Sequence, residues 1–408
     1  MKVLILTSGS RGDVQPYVAL AQGLADRDHT PLLAAPDAFL GFARDHGVPF
    51  EPVDSRILAL KDDPKALQGN RLKLMQMVKP MLLQMLNDYW AAADSFKPDM
   101  VVYHPKTLVG YHIAERLRVP GVVAVPLPIS APTAAFPVPI MPSLPLGGWY
   151  NRLSYGAITL AGAAFGGMVN AWRKERLGLT RRVKDERVAP GGKPTPVMYA
   201  YSQHVVPRPA DWGAHIHVTG YWNLRHSAHW QPSPALTQFL AAGDAPVYIG
   251  FGSMWMGDSD ARTKMAIEAV ERLGKRAILA TGWGGLKADK LPATIFALEN
   301  APHEWLFPQM AAVVHHGGAG TTGAALQAGK PNVIVTFLGD QPFWGRQVAA
   351  LGAGTPPISH KQLTADALTE KLRQALDPAM STRAKAVGER ICAEDGVTNA
   401  VSVLEALA

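Results

Sequence analysis

The residues with the clearest chemical potential lie between Val313 and Gln341, in the string VVHHGGAGTTGAALQAGKPNVIVTFLGDQ. The string reads as strand, glycine-rich turn, helix and second strand, with Asp340 and Gln341 where the second strand ends. Gly317, Gly318 and Gly320 remove side chains where an anion would meet backbone N–H groups, and Thr321 and Thr322 are expected to cap the helix. A diphosphate suits such a turn. Asp340 and Gln341, at the carboxyl edge of a parallel sheet, suit the hydroxyls of a polyol. A tight turn that binds nothing is the competing reading. The turn lacks the GK[ST] ending of a P-loop, which argues against nucleotide hydrolysis, and it is not the G-x-G-x-x-G dinucleotide pattern. The expected ligand is a nucleoside diphosphate carrying something polar.

A second candidate lies near the amino terminus, in TSGSRGDVQPYVALAQGL. Here Asp13 stands at the mouth of a helix, directly after the first strand. It is either a helix cap or a general base that receives a proton from an incoming hydroxyl. Ser10 and Arg11 in the same turn can donate to a phosphate or a sugar hydroxyl. His315 and His316 are adjacent at a strand end, so their side chains point to opposite sides and only one is expected to reach a ligand. Trp283, in ATGWGG, either stacks on a base or fills the core. Asp258-Ser259-Asp260 has the letters of a D-x-D metal motif but precedes a helical pattern, where such residues serve as caps.

Elements that would position these residues alternate in βαβ fashion: strands at Val3–Leu6, Thr30–Ala34, Met100–Tyr103 and Val122–Val125, with helices across Tyr17–Asp26 and Leu108–Leu117. A second series has strands at Val247–Phe251, Ala277–Ala280, Ala312–His315 and Asn332–Thr336, and helices near Ala261–Leu273 and Thr321–Ala328. The reading is α/β, with two doubly wound Rossmann-like domains facing across a cleft: an amino-terminal domain over 1–215, a linker at 216–234 and a carboxyl-terminal domain over 235–380. A helical segment, 381–408, is expected to cross back to the first domain. Between Pro126 and Tyr150, prolines and apolar residues make a long irregular loop. Its Phe136, Ile140, Met141, Leu144 and Trp149 are expected to face a rigid hydrophobic acceptor. Ala157–Val169 is too short to span a bilayer and reads as a buried or acceptor-facing helix.

Of 408 residues 48% are hydrophobic, ordinary for a protein with two cores. The net charge of +7 is dispersed, and its densest stretch, Arg173–Arg187, also carries Glu175, Asp185 and Glu186. That pattern favours a solvated surface over nucleic-acid binding and leaves attraction to an anionic membrane surface open. Cys392 has no cysteine to pair with, and the apolar run Val3–Leu6 is too short for a signal peptide's core, so a cytoplasmic location is expected.

Three separated motifs, GSRGDVQP, APHEWLFPQMAAVVHHGGAGTTGAAL and FLGDQPFWGRQV, resemble those of the two-domain GT-B glycosyltransferases, and within them the sterol glucosyltransferases and the enzymes that glycosylate antibiotic aglycones. The resemblance implies a donor sugar on a nucleotide, bound mainly by the carboxyl-terminal domain, with inversion at the anomeric carbon and neither cofactor nor metal. UDP-glucose is the leading donor and dTDP-sugars follow; the acceptor would be a sterol, polyketide or flavonoid. Asp13, within Gly12-Asp13-Val14-Gln15-Pro16, falls on the family's base position. His316 matches the histidine that donates to the diphosphate, flanked by Gly318, Ala319, Gly320 and Thr321. Asp340 and Gln341 match the pair that holds sugar hydroxyls, Ser253 a hydroxyl near the diphosphate, and Ala301 and His303 the loop at the nucleotide base. His104 falls near the residue that orients the base in plant relatives. Where those relatives place a ribose-binding glutamate, this chain has Ala324. A nucleotide-sugar 2-epimerase and a non-catalytic auxiliary protein are the rival readings.

Overall fold

The computed structural model describes residues 1–59, 71–181, 183, 185–225, 230–252, 259–281 and 291–408, with side chains at 59, 71–75 and 259 excepted. Ser253, Trp283 and Asp258 lie outside the described residues.

Seven strands form the first sheet: β1 (Lys2–Leu6), β2 (Thr30–Pro36), β3 (Phe50–Val53), β4 (Met100–Tyr103), β5 (Gly121–Val125), β6 (Val197–Tyr199) and β7 (Ile216–Val218). Six form the second: β8 (Val247–Gly250), β9 (Ala277–Ala280), β10 (Ile295–Leu298), β11 (Ala312–His315), β12 (Asn332–Thr336) and β13 (Ile358–Ser359). Their orders are β3-β2-β1-β4-β5-β6-β7 and β10-β9-β8-β11-β12-β13, and the paired strands run parallel. Continuous apolar runs such as Val3–Leu6 and Ala312–Val314 are fully buried, as strands covered on both faces must be.

Each sheet has one place where strand order reverses, between β1 and β4 in the first and between β8 and β11 in the second. Crevices open at the carboxyl ends of strands at such switch points. Leu6 pairs with Tyr103, so the loops carrying Asp13 and His104 leave the first sheet side by side. His315 pairs with Gly250, which brings the glycine turn beside the loop after β8.

The helices that matter for the site are α1 (Arg11–Ala25), α2 (Gly148–Ser154), α3 (Gly156–Leu177), α4 (Ala319–Gln327), α5 (Gln341–Ala350) and α6 (Gly396–Leu407). α1 starts six residues before the expected Tyr17, because Ser10 and Asp13 supply an N-terminal cap and Pro16 sits early enough to be tolerated. β7 and the buried Trp222 and Leu224 belong to the first domain's core, within the segment expected to be linker. α6 packs on α1: Ala400, Val401 and Leu404 share a core cluster with Val14, Tyr17 and Leu20. In α3, expected to be buried or acceptor-facing, residues 159–164 are exposed. No helix among the described residues is long and apolar enough to cross a membrane.

Candidate active site

Asp13 is the third residue of α1. Its Oδ2 accepts from the Ser10 N–H at 2.9 Å and from Ser10 Oγ at 3.1 Å, closing the turn after β1. Thr7 Oγ1 donates to the Asp13 carbonyl at 2.6 Å and fixes the same turn from below. The other oxygen, Oδ1, receives Lys106 Nζ at 2.5 Å and lies 4.0 Å from His104 Nε2. Burial pushes the Asp13 carboxyl up, but the Lys106 ammonium and the Ser10 N–H together hold it below its ordinary value. The group is therefore a carboxylate at neutral pH.

His104 is buried, and its Nδ1 accepts the Lys106 N–H at 3.0 Å, which assigns the ring proton to Nε2, the nitrogen facing Asp13. Burial and the neighbouring ammonium push its pKa down to about 3, so the ring is neutral. It is a fixed neighbour of Asp13, not a charged partner.

Lys106 was missed in the sequence. Its signal was available: in VVYHPK it follows a buried strand by three residues, at the carboxyl edge where ligands bind. Ser10 and Gly12 are exposed in the same loop. Arg11 donates from Nε to Gln15 Oε1 at 3.0 Å and stacks over Phe42 at 4.9 Å, within reach of the charge of Glu304 in the second domain.

Across the cleft, the two histidines divide their work as strand alternation requires. His315 is fully buried; its Nδ1 accepts the Gly317 N–H at 3.1 Å and its Nε2 meets Asn332 Oδ1 at 2.8 Å. Gly317, with φ of 86°, is committed to this turn, and a Cβ there would lie 2.7 Å from Ile334 Cγ2. His316 points the other way. Its Nδ1 is buried and has no hydrogen-bond partner among the described residues, and burial lowers its pKa to about 4. Gly318 hugs this ring, since a Cβ would come within 2.5 Å of His316 Nε2.

α4 begins after Gly318 with no side-chain cap. Thr321 and Thr322 were expected to supply one. Instead Thr322 Oγ1 bonds back to the Gly318 carbonyl at 2.9 Å, leaving the N–H groups of Ala319, Gly320 and Thr321 as the helix's unpaired first donors. A Cβ on Gly320 would meet open space. The helix therefore presents N–H groups and the positive end of its dipole to the cleft.

Asp340 precedes α5 and accepts Trp344 Nε1 at 2.7 Å. Burial raises its pKa, and it lies close enough to Lys106 and Asp13 for both charges to act on it. Trp344 is fully buried, so it fixes the carboxyl rigidly; it too escaped the sequence reading. Gln341 differs from expectation. It is 3% exposed, and its Oε1 is spent on the N–H groups of Phe337 and Leu338 at 2.6 and 3.1 Å, bracing the loop before α5. Ala301 is buried, and His303 stacks on Phe307 at 4.3 Å with its pKa lowered to about 4 by burial and by nearby Arg11 and His316.

The expected acceptor-facing residues separate. His104 lies at the site, and Phe136 packs against Phe343 of the second domain at 5.5 Å. Met141 is half-buried, whereas Ile140, Leu144 and Trp149 are exposed by 46, 46 and 64%. No group of three or more His, Cys, Asp or Glu among the described residues is placed to hold a metal ion.

Residues 3–136 match the glycosyltransferase family 28 N-terminal domain, and residues 267–407 match the erythromycin biosynthesis protein CIII-like C-terminal domain. The chain is 38% identical to a sterol 3-beta-glucosyltransferase of Emericella nidulans over 99% of its own length and 30% of the relative's. It is 36% identical to a sterol 3-beta-glucosyltransferase of Arabidopsis thaliana over 98% of its length and 64% of that protein. The chain thus spans about a third of the fungal relative and under two thirds of the plant one. Among solved structures, the kitacinnamycin glycotransferase aligns at a TM-score of 0.73 and 19% identity, covering 100% of this chain and 98% of that one. Spinosyn rhamnosyltransferase complexed with thymidine diphosphate aligns at 0.67 and 19%, covering 99% and 100%. Two parallel sheets with facing switch points give the chain the GT-B fold, and in sequence it carries a glycosyltransferase family 28 N-terminal domain and an erythromycin biosynthesis protein CIII-like C-terminal domain and is similar to sterol 3-beta-glucosyltransferases.

Proposed function

We propose that the chain transfers a sugar, with glucose from UDP-glucose as the leading donor, to a hydroxyl of a hydrophobic acceptor such as a sterol, inverting the anomeric centre. The observation that carries this reading is the convergence on one cleft of an ionised Asp13, a buried but unpartnered His316 nitrogen with a helix N-terminus, and Asp340. Asp13 accepts the acceptor's proton as its oxygen attacks the anomeric carbon. The bond to the diphosphate breaks on the opposite face, so an α-linked donor yields a β-glycoside. Charge gathering on the leaving phosphate is met by the N–H groups of Ala319, Gly320 and Thr321 and by His316. Asp340, held by Trp344, receives sugar hydroxyls.

Lys106 now occupies the position on Asp13 Oδ1 where an acceptor hydroxyl would sit. Its side chain is 53% exposed, so the ammonium can swing out into water and leave that place to a hydroxyl. Thymidine diphosphate in structural relatives makes a dTDP-sugar the second donor to test. The experiment is nucleotide release in EDTA from UDP-glucose and dTDP-glucose, with sterol and phenolic acceptors and without. Acceptor-dependent release supports the transferase; release without any acceptor points to an epimerase-like reaction, and none with either donor overturns the proposal.

A further inference from the structure

Among the described residues ten large hydrophobic side chains are exposed, and six of them fall between Ile140 and Leu160. Leu153 and Leu160 are the most open, at 67 and 75%, with Trp149 at 64%. Trp149 and Leu153 are four residues apart on α2, so they share one face, and Leu153 and Leu160 meet along a groove of about 500 Å³ on the α2–α3 hairpin. α3 continues this surface with small residues: Cβ atoms on Gly162, Gly166 and Gly167 would meet nothing.

Charge is missing as well. Between Arg118 and Arg173 the sole charged side chain is Arg152. A helix that faces water normally carries charged residues on its open face. Apolar surface this extensive on a protein marks contact with something else. Arg152 and Arg187 line the same groove as Leu160, and Arg187 belongs to a stretch of the sequence, 181–193, that holds five basic residues against two acidic ones.

We infer that the α2–α3 hairpin docks the protein on an anionic phospholipid bilayer, lying in the headgroup region without crossing it. Apolar side chains and a tryptophan flanked by cationic residues are the composition of an interfacial segment. The inference deepens the proposed function and rests on its hydrophobic acceptor: a water-insoluble alcohol resides in membranes, and docking brings the cleft to it. Phe136 links the two places, since it leads into this segment and contacts Phe343 across the domains.

The test uses the full chain and vesicles of phosphatidylcholine with or without phosphatidylglycerol, in the absence of donor and acceptor. The wild type should sediment with anionic vesicles, less with neutral ones, and Trp149 emission should shift to shorter wavelength. Leu153→Glu/Leu160→Glu should weaken vesicle partitioning on the order of 100-fold, because two exposed leucines are lost and charge of the wrong sign is added. Its turnover of a water-soluble phenolic acceptor should match the wild type. Equal sedimentation of variant and wild type, or none by either, overturns the proposal. Concentration-dependent self-association removed by the same double variant assigns the face to a second copy and also overturns it. Loss of soluble-acceptor turnover in the variant with vesicle binding intact would make the face part of the acceptor pocket instead. Vesicle binding needs no catalysis, so a failed transferase assay leaves this result interpretable.

Discussion

Replacing Asp13 with asparagine removes the proposed base while sparing its surroundings. The amide oxygen can still accept the Ser10 N–H that the carboxylate now receives at 2.9 Å, so the turn should survive. Two stabilising effects are lost. A negative charge in the first helical turn contributes about 0.3–1 kcal/mol, and the pair with half-exposed Lys106 about 0.2–1 kcal/mol. Together they cost about 0.5–2 kcal/mol, small beside the roughly 5–15 kcal/mol typical of a folded domain. The chemical loss is larger: a positioned general base contributes about 10²–10⁴ in rate, or roughly 3–5 kcal/mol on the barrier. The assay is kcat for acceptor-dependent nucleotide release, with nucleotide affinity by calorimetry and unfolding by fluorescence. Asp13→Asn should lose at least about 100-fold in kcat, bind nucleotide within a few-fold of wild type, and melt within a few degrees of it. A kcat within tenfold of wild type would refute the role, and a parallel collapse of nucleotide affinity would show that Asp13 acts through the fold.

Lys106→Met should move the acid limb of kcat/KM to higher pH, because removing the ammonium leaves burial to push the Asp13 carboxyl upward; a limb that stays or moves down contradicts the arrangement. The same depressed carboxyl stabilises the fold above its unfolded-state pKa and loses that contribution as pH falls through the folded value, so the wild type's advantage over Lys106→Met in urea should vanish toward acid. Gly317→Ala should lower stability by about 1–2 kcal/mol from its left-handed backbone alone, whereas Gly320→Ala should leave melting unchanged and weaken nucleotide binding; calorimetry separates them. Glu115→Ala strands Arg173, whose side chain is 1% exposed, and should cost about 3–5 kcal/mol in urea unfolding with nucleotide affinity preserved.

Fold and site were unequally legible. Strands such as Met100–Tyr103 and Asn332–Thr336 could be bounded from sequence because burial on both faces makes uninterrupted apolar runs with polar ends. Helix starts were harder, since α1 begins on a cap of exposed polar residues ahead of any apolar period. Opposite outlooks for His315 and His316 followed from strand alternation, but that His315 spends its ring on the Gly317 N–H depends on a turn geometry that letters do not carry. Gln341 illustrates the same gap: its neighbour Asp340 turns to the cleft, while its own amide oxygen is consumed by the N–H groups of Phe337 and Leu338 in the loop just before it. Lys106 was overlooked because a lone lysine after a strand looks like solvated surface until β1 and β4 are known to be neighbours. The hairpin of α2 and α3 was left between two readings for a related reason, since apolar composition signals contact without saying whether the partner lies inside the protein.

The seating of α6 on α1 bears on how the molecule is made. Gly23 is the close approach that permits it, because a Cβ there would fall 2.1 Å from Val397 Cγ1. Residues 11–25 thus complete their packing only against residues 396–407, with the whole second domain lying between them in the chain. Such a long-range contact forms late. On the ribosome, the face of α1 behind Asp13 stays uncovered until Leu404 has emerged, although its own sheet can already pair. A fragment stopping at the first crossing between domains would keep that apolar face exposed, so the amino-terminal domain is a poor candidate for isolation and the two domains mature as one unit.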